Sequence, residues 1–389
     1  MTRPLLNRRL AGLGTTIFAE MSALAVSTGS INLGQGFPDT DGPAELARAA
    51  ADAVLAGRGN QYPPGPGVPE LRQAIAAHQK RFYGLTVDPD TEVLVTAGAT
   101  EAIAAALLAL LEPGDEVIAL EPYYDSYAAC IAMAGATRVP VTLRPPEFRP
   151  DLDVLRDAVT SRTRLLLLNS PHNPTGMVLT RDELTAIAEL AIERDLLVVT
   201  DEVYEHIVFE GEHIPIATLP GMAGRTVSIS SAGKTFSFTG WKVGWVTGTP
   251  ELVSAVRTTK QFLTFVSSGP FQYAIAAGLG LPDSFYAGLA ESLGGKRDLL
   301  AAGLTAAGFE VFLPRGTYFI TTDIAALGDG DGLAFCRSLP GRSGVVAIPN
   351  VVFYDNEAAG RSQVRFAFCK REELLAEAAG RLARTARPA

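Results

Sequence analysis

Two lysines, Lys234 and Lys242, lie in Thr226–Trp245, a stretch rich in small and hydroxyl-bearing residues. The β-branched run Val227–Ile229 predicts a buried strand just before them. A lysine past a buried strand suits attack on a carbonyl group, because desolvation and a neighbouring cation lower the pKa of its amine. The second lysine and the hydroxyl of Ser231 suit a phosphate group. An aldehyde and a phosphate together describe pyridoxal phosphate (PLP), and a solvated loop is the alternative.

Other polar side chains also come directly after predicted strands. The strands are Glu92–Thr96, Asp115–Leu120, Leu165–Asn169 and Leu196–Thr200, and helical patterns separate them. In a parallel sheet, ligands bind beyond the carboxyl ends of the strands, so we expect the groups that follow them to converge. These groups are Thr96–Thr100, Tyr123–Tyr124, Asn173, Asp201–Tyr204 and Ser231–Lys234.

Two of these groups suit the ring of such a cofactor. Asp201 follows an apolar strand, and a carboxylate there is either a helix N-cap or the partner of a buried cation. Beside PLP it would keep the pyridine nitrogen protonated, which makes the ring an electron sink. Tyr204 and Asn173 could donate to the phenolic oxygen of the ring. For Asn173 a plain turn is the alternative, because Asn-Pro-Thr-Gly is a strong turn signal.

Further candidates suit the phosphate, the ring face and a carboxylate. Gly98–Thr100 precedes a predicted helix, and N–H groups at a helix N-terminus bind phosphate. Tyr124 could stack on the ring. Arg365 alternates with apolar residues in a strand, where it is either solvated or faces a cleft and grips a carboxylate through two hydrogen bonds. Tyr62 lies in the rigid exposed loop Asn60–Gly67, as a packing aromatic or a reaching ligand group.

Composition excludes several functional classes. The chain has 389 residues and a net charge of −9, which argues against non-specific binding to nucleic acid or anionic membranes. Its three cysteines and four histidines show no metal or redox spacing, so we expect buried thiols, a reducing compartment and no metal site. Met1–Leu10 is basic without a following apolar region, which predicts no signal peptide. Ala102–Leu111 is too short to span a bilayer. We expect a cytoplasmic protein.

The pattern predicts an α/β fold with two domains. Continuous apolar strands between helices indicate a mostly parallel sheet covered on both faces. Further along, a long helix at Pro282–Ala307, strands within Glu310–Ile324, Val345–Ile348 and Gln363–Cys369, and a closing helix indicate a smaller α+β domain. We predict a large domain over residues 44–285 and a small domain over 286–389, to which the segment 1–43 contributes.

Taken together, these residues resemble the class I/II aminotransferases, which have the fold type I of PLP enzymes with a seven-stranded sheet in the large domain. The resemblance runs from Asn32 to about Arg371. It rests on Asn-Leu-Gly-Gln-Gly-Phe-Pro (32–38), Asn-Pro-Thr-Gly (173–176), Asp-Glu-Val-Tyr (201–204), Ser-Xaa-Xaa-Lys (231–234) and Gly-Trp-Lys-Val-Gly-Trp (240–245).

The resemblance implies a role for each site residue. Lys234 would form the Schiff base and act as general acid and base in a ping-pong transamination between an L-amino acid and a 2-oxo acid. Asp201 would hold the pyridine nitrogen, with Tyr204 and Asn173 on the phenolic oxygen. Ala99, Thr100, Ser231 and Lys242 would bind the phosphate, and Tyr124 would stack on the ring. Gly36, Asn169 and Arg365 would bind the substrate carboxylate, and Phe18 would make an apolar contact with the substrate. Tyr62 would reach the phosphate of the partner in a homodimer.

Within the class, the sequence is most similar to the kynurenine–glutamine–methionine branch. It is also similar to an actinobacterial subgroup described as N-succinyldiaminopimelate aminotransferases. The substrate alternatives are therefore N-succinyldiaminopimelate with glutamate, or broad glutamine, methionine and aromatic specificity. A β-lyase acting on cysteine S-conjugates through Lys234 is a rival reaction. A non-catalytic regulator on the same fold is disfavoured by the acidic balance.

Overall fold

The apolar runs of the first two-thirds of the chain form one seven-stranded sheet. The computed structural model describes residues 5–11 and 16–385. The strands of this sheet are β2 (Val93–Thr96), β3 (Glu116–Glu121), β4 (Thr137–Thr142), β5 (Thr163–Asn169), β6 (Leu197–Asp201), β7 (Thr226–Ser231) and β8 (Gly244–Thr247). Their order is β2-β8-β7-β6-β5-β3-β4, and only β8 runs antiparallel to its neighbours. The predicted mostly parallel sheet is confirmed.

The two faces of this sheet are buried in separate apolar clusters. Leu165 and Leu167 of β5 pack with α4 (Gly98–Leu110) and α5 (Asp125–Ala134), whereas Leu166 and Leu168 pack with α7 (Arg181–Glu193). The helices of this part of the chain are α2 (Ala44–Leu55), α3 (Pro69–Tyr83), α4 (Gly98–Leu110), α5 (Asp125–Ala134), α6 (Leu152–Asp157), α7 (Arg181–Glu193), α8 (Ala232–Thr235), α9 (Pro250–Lys260) and α10 (Gly269–Leu279). Strands covered on both sides read as continuous apolar runs.

The C-terminal part contains a second sheet, which is antiparallel with the order β12-β13-β10-β9. Its strands are β9 (Glu310–Phe312), β10 (Phe319–Asp323), β12 (Ile348–Pro349) and β13 (Gln363–Ala367), and its helices are α11 (Asp283–Ala306), α12 (Gly332–Ser343), α13 (Glu357–Gly360) and α14 (Glu372–Thr385). The predicted long helix and the predicted strands within Glu310–Ile324 are confirmed, as α11 and as the antiparallel pair β9 and β10. The prediction of one strand over Val345–Ile348 is wrong, because this stretch divides between β11 (Val345–Val346) and β12.

The N-terminal segment packs on this C-terminal part. It contains α1 (Ile17–Thr28) and β1 (Ile31–Asn32), and β1 pairs in parallel with β11. Met21 of α1 shares one buried cluster with Leu300 of α11 and Phe366 of β13. This pairing brings the glycine-rich turn after β1 over the carboxyl edge of the large sheet, where Gly36 faces Lys234.

Candidate active site

Lys234 lies just after β7, an inner strand of the large sheet, in the one-turn helix α8. Its Nζ points into the cavity at the carboxyl edge of the sheet, 3.5 Å from the carbonyl oxygen of Gly36. The ring centroids of Tyr204 and Tyr318 lie 5.9 and 5.6 Å from Nζ. Burial lowers the pKa of this ammonium group, and Lys242 adds to the effect while Asp201 opposes it. A neutral amine at this position is suited to attack a carbonyl group.

The cavity has a volume of about 410 Å³, within the range of small-ligand sites. It collects nearly all the side chains predicted from the sequence. The predicted residues that line it are Phe18, Gly36, Ala99, Thr100, Tyr124, Asn169, Asn173, Asp201, Tyr204, Ser231, Lys234, Lys242 and Arg365.

One end of the cavity is built for an anion. Helix α4 begins at Gly98, and its N-cap residue Ala97 offers no side-chain hydrogen bond to the first turn, while the Glu101 carboxylate accepts from the N–H of Ala97 itself. The first N–H groups of a helix lack intrahelical acceptors, so those of Gly98, Ala99 and Thr100 are available to a phosphate. Gly98 has a φ of +75°, and a Cβ there would come 3.1 Å from Lys242 Nζ. Gly244 must also lack a side chain, because its Cβ would lie 2.6 Å from the carbonyl carbon of Gly98.

Asp201 lies at the end of β6, deep in the same cavity, and is 5% exposed. Burial raises the pKa of its carboxyl group to about 6. The phenol of Tyr127 donates to Asp201 Oδ2 at 2.6 Å, and the N–H of Val203 donates to Oδ1 at 3.3 Å. Both bonds and the charge of Lys234 favour the ionised carboxylate. Such a group is suited to hold a protonated ring nitrogen.

Arg365 of β13 closes the opposite side of the cavity and is only 1% exposed. Nη1 donates to Asn173 Oδ1 at 2.9 Å and Nη2 donates to the Gly34 carbonyl at 3.1 Å. Burial lowers the pKa of the guanidinium to about 10. Nε is buried without a hydrogen-bond partner among the described residues. A buried cation with an unused donor fits a carboxylate ligand.

The two asparagines lie between these ends. Asn173 faces Arg365, as described above, and its side-chain amide lines the cavity. Asn169 donates from Nδ2 to the Asp201 carbonyl at 2.8 Å and accepts from the Asn173 N–H at 2.7 Å. The amide of Asn169 thus ties the ends of β5 and β6 to the turn that carries Asn173.

Tyr62 is the one predicted site residue that the structure places outside this cavity. It is 81% exposed on the loop after α2, and its ring packs edge-on against Phe265 at 5.4 Å. Lys260 Nζ holds the two segments together through the carbonyls of Gly65, at 3.3 Å, and Phe265, at 2.7 Å.

Several cavity residues were missed by sequence reasoning. Gln35 donates from Nε2 to the Phe18 carbonyl at 3.1 Å and to Ser22 Oγ at 2.6 Å, so it fixes α1 beside the cavity. Tyr318 donates to the Gly36 carbonyl at 2.5 Å. Only for Tyr127 was there a sequence signal, since it lies one helical turn after Tyr124.

The model of the family "Aminotransferase class I and II" matches residues 28–382. The chain belongs to the class I and II aminotransferases. A "Probable N-succinyldiaminopimelate aminotransferase DapC" of Mycobacterium tuberculosis is 55% identical over 385 residues, covering 96% of this chain and 97% of the relative. A "Methionine aminotransferase" of Escherichia coli is 41% identical over 375 residues, with the same coverage.

Solved structures agree with these relationships. The structure of N-succinyldiaminopimelate aminotransferase from Mycobacterium tuberculosis superposes with a TM-score of 0.96 at 54% identity, covering 98% of this aminotransferase and all of that chain. The YbdL protein of Escherichia coli, with "a Methionine Aminotransferase Function", gives a TM-score of 0.94 at 41% identity with the same coverage. The fold and the activity expected from the sequence, PLP-dependent transamination, are confirmed.

The residues of this aminotransferase fit PLP. The uncapped start of α4 with Lys242 matches a phosphate, Lys234 an aldehyde, and Asp201 a pyridine nitrogen, and the three sites line one cavity. In the described chain, none of the helices combines the length and apolar character needed to cross a bilayer.

A second polar cluster lies beneath the site. The ligand atoms of His78, Glu205 and His206 lie within 4.8 Å of one another, as in a metal centre. They are already engaged, because the two imidazole Nε2 atoms bond each other at 2.7 Å and Glu205 accepts from Tyr83 at 2.6 Å and from Ser230. Burial lowers the pKa of both histidines, so neutral rings can pair as donor and acceptor. The absence of a metal site stays a prediction.

Proposed function

We propose that this aminotransferase moves an amino group between N-succinyldiaminopimelate and glutamate, with Lys234 as the catalytic base. The observation that supports the chemistry is that the Lys234 amine, the Asp201 carboxylate and the Arg365 guanidinium line one cavity. The support for the substrate pair is the 55% identity to the probable DapC enzyme over nearly the whole chain.

When bound, PLP supplies the aldehyde that condenses with the substrate amine and the ring that takes up the electron pair left at Cα. The protein supplies the grip and the proton transfers. Ser231, Lys242, Ala99 and Thr100 would hold the phosphate, Tyr124 would stack on the ring, and Tyr204 and Asn173 would donate to its phenolic oxygen. Arg365, with Asn169 and the backbone of Gly36, holds the substrate carboxylate, while Phe18 contacts the substrate side chain. Lys234 would be the base that takes the proton from substrate Cα in one half of the ping-pong cycle and the acid that returns a proton to Cα in the other.

A titration of the PLP-loaded enzyme with single amino donors tests the substrate assignment. The panel is glutamate, N-succinyldiaminopimelate, glutamine, methionine, kynurenine and phenylalanine, and the readout is conversion of the cofactor from its aldehyde to its amine form. We expect glutamate and N-succinyldiaminopimelate to convert it at the lowest concentrations. Preference for methionine, glutamine or aromatic donors would instead place the enzyme in the broad-specificity branch. Pyruvate and ammonia release from a cysteine S-conjugate, without amino transfer, would support the lyase alternative.

Replacing Arg365 with methionine tests the carboxylate grip. Truncating one partner of a buried, hydrogen-bonded charge pair costs about 2–5 kcal/mol, so we expect kcat/KM to fall by about 30- to 5,000-fold. The rise in KM should be similar for the amino donor and the oxo acceptor, because both carry the same carboxylate. Initial-rate kinetics with each substrate varied in turn measure this.

The control is Arg337→Met, on the exposed face of α12, where the arginine pairs with Glu20. It removes a cation from the same part of the chain and should leave KM unchanged. Equal KM values in the Arg365 variant and the wild type would contradict the proposed grip.

We also propose that the enzyme is a cytoplasmic homodimer with shared sites, in which Tyr62 reaches the partner's phosphate site. Tyr62 packs on the half-exposed Phe265, and Phe262, three residues before Phe265, is 82% exposed; exposed aromatic side chains of this kind are typical of interfaces. Light scattering should give twice the chain mass of 41.1 kDa. The free, buried cysteines Cys130, Cys336 and Cys369 support a reducing compartment.

The proposed domain division assigns residues 44–285 to the cofactor side, and residues 286–389 with the segment 1–43 to the small domain. It is supported by the pairing of β1 with β11 and by the apolar cluster that α1 shares with α11 and β13.

A further inference from the structure

Tyr127 is a buried residue beside the site, and the proposed function assigns it no role. It lies in the first turn of α5, and its ring packs in the apolar cluster between α4, α5 and the sheet. Its side chain is 2% exposed, yet its hydroxyl reaches the edge of the cavity and donates to Asp201 Oδ2 at 2.6 Å. A buried phenol needs a hydrogen-bond partner, and Tyr127 donates to the carboxylate that is proposed to face the cofactor.

The hydrogen bonds around the Asp201 carboxyl group indicate which of its two charge states the protein stabilises. Oδ2 accepts from Tyr127 and Oδ1 accepts from the Val203 N–H, so both oxygens act as acceptors. Only an ionised carboxylate accepts on both oxygens without having to place a proton of its own, and it keeps further lone pairs for a ligand. The other titratable groups facing it are Tyr124, Glu202, Tyr204 and Lys234.

These neighbours act in opposite directions. Burial is the largest influence and raises the pKa of Asp201, and the charge of Glu202 adds to it. The Tyr127 hydrogen bond is the largest of the opposing contributions, ahead of the Val203 N–H and the charge of Lys234. Without the phenol, this carboxyl group would hold its proton to higher pH.

We propose that Tyr127 is a positioning residue that keeps Asp201 ionised and aims its carboxylate at the pyridine nitrogen of PLP. This inference rests on the proposed role of Asp201. The same helical turn also carries Tyr124, whose ring meets that of Tyr127 edge-on at 5.8 Å. The start of α5 therefore places both the stacking partner of the ring and the group that orients its counter-ion.

The first test uses the protein without cofactor. The Asp201 carboxyl group is titrated by NMR on protein labelled with ¹³C at aspartate carboxyls, and the Asp201→Asn variant assigns its signal. Tyr127→Phe keeps the ring and removes only the hydroxyl, so we expect the midpoint to move to higher pH. Tyr123→Phe is the matched control, because Tyr123 is buried in the same segment but its hydroxyl bonds Asp355. An unchanged midpoint in Tyr127→Phe, or an equal shift in Tyr123→Phe, would overturn the inference.

The second test uses the PLP-loaded enzyme and the rate of cofactor conversion by glutamate. Loss of a hydrogen bond to a charged group should slow Tyr127→Phe by about 10–100-fold near pH 6–7. The deficit should shrink as pH rises, because Asp201 becomes ionised in the variant as well. In an Asp201→Asn background, Tyr127→Phe should have almost no further effect, since it acts through Asp201.

The outcomes of the second test separate the two proposals. A pH-independent deficit, or losses that add fully in the double variant, would overturn the role of Tyr127. A normal rate in Asp201→Asn would overturn the role of Asp201 and this inference together. An unchanged titration in Tyr127→Phe overturns this inference alone.

Discussion

Replacing Lys234 by alanine is expected to abolish turnover while leaving the fold intact. The variant loses the only amine that faces Gly36, Tyr204 and Tyr318 in the described part of the cavity. General acid–base catalysis by one positioned group contributes up to about 10⁴-fold, and we expect a loss of at least that size. Steady-state rates and circular dichroism measure the activity and the fold.

The control for this variant is Lys80→Ala. Lys80 is exposed on α3, where it donates to Thr86 at 3.1 Å. We expect wild-type rates from it, and PLP should bind both proteins through the phosphate site. Sustained multiple turnover by the Lys234 variant would end the assignment of this lysine as the catalytic base.

Asp201→Asn is expected to impair proton transfer far more than cofactor binding. The asparagine keeps the shape of the side chain but removes the charge that stabilises a protonated ring nitrogen. Breaking a buried ion pair costs about 3–5 kcal/mol, which corresponds to a fall in kcat of about 10²–10⁴-fold. Cofactor affinity should change much less, because the phosphate grip is untouched. Single-turnover rates and PLP titration separate the two effects.

Asp195→Asn serves as the comparison for this variant. Asp195 follows α7 at the surface and pairs with Arg225, remote from the cavity. It should have wild-type kinetics. If Asp201→Asn reacted at the wild-type rate, the carboxylate would have no part in activating the ring.

The positions of the proposed catalytic residues were predictable, because the strands that carry them have a strong apolar pattern. Asp201 is the last residue of β6 and Lys234 comes just after β7, so the prediction of a parallel sheet was enough to bring them together. The role of Arg365 could not be predicted in this way, because the alternation of polar and apolar residues in a strand does not show which face of the strand lines a cavity. Its burial follows from the packing of β13 beneath α1, which only the tertiary structure shows.

The short elements were the hardest to predict. Strand β4 contains Pro140, which disfavours a strand, and it is tolerated because β4 lies at the edge of the sheet. Strand β8 has four residues and begins with a glycine. Residues such as Tyr318 gain their role from a contact far away in sequence, in this case with Gly36, and no local pattern predicts it.

The cavity has two walls that come from different parts of the chain, and the pairing of β1 with β11 holds one of these walls together. Phe18, Gly36 and Arg365 belong to the N-terminal segment and the small sheet, whereas Lys234, Asp201 and Lys242 belong to the large sheet. Substitutions in the first wall can therefore change which amino-acid side chain fits, without altering the residues proposed to hold PLP.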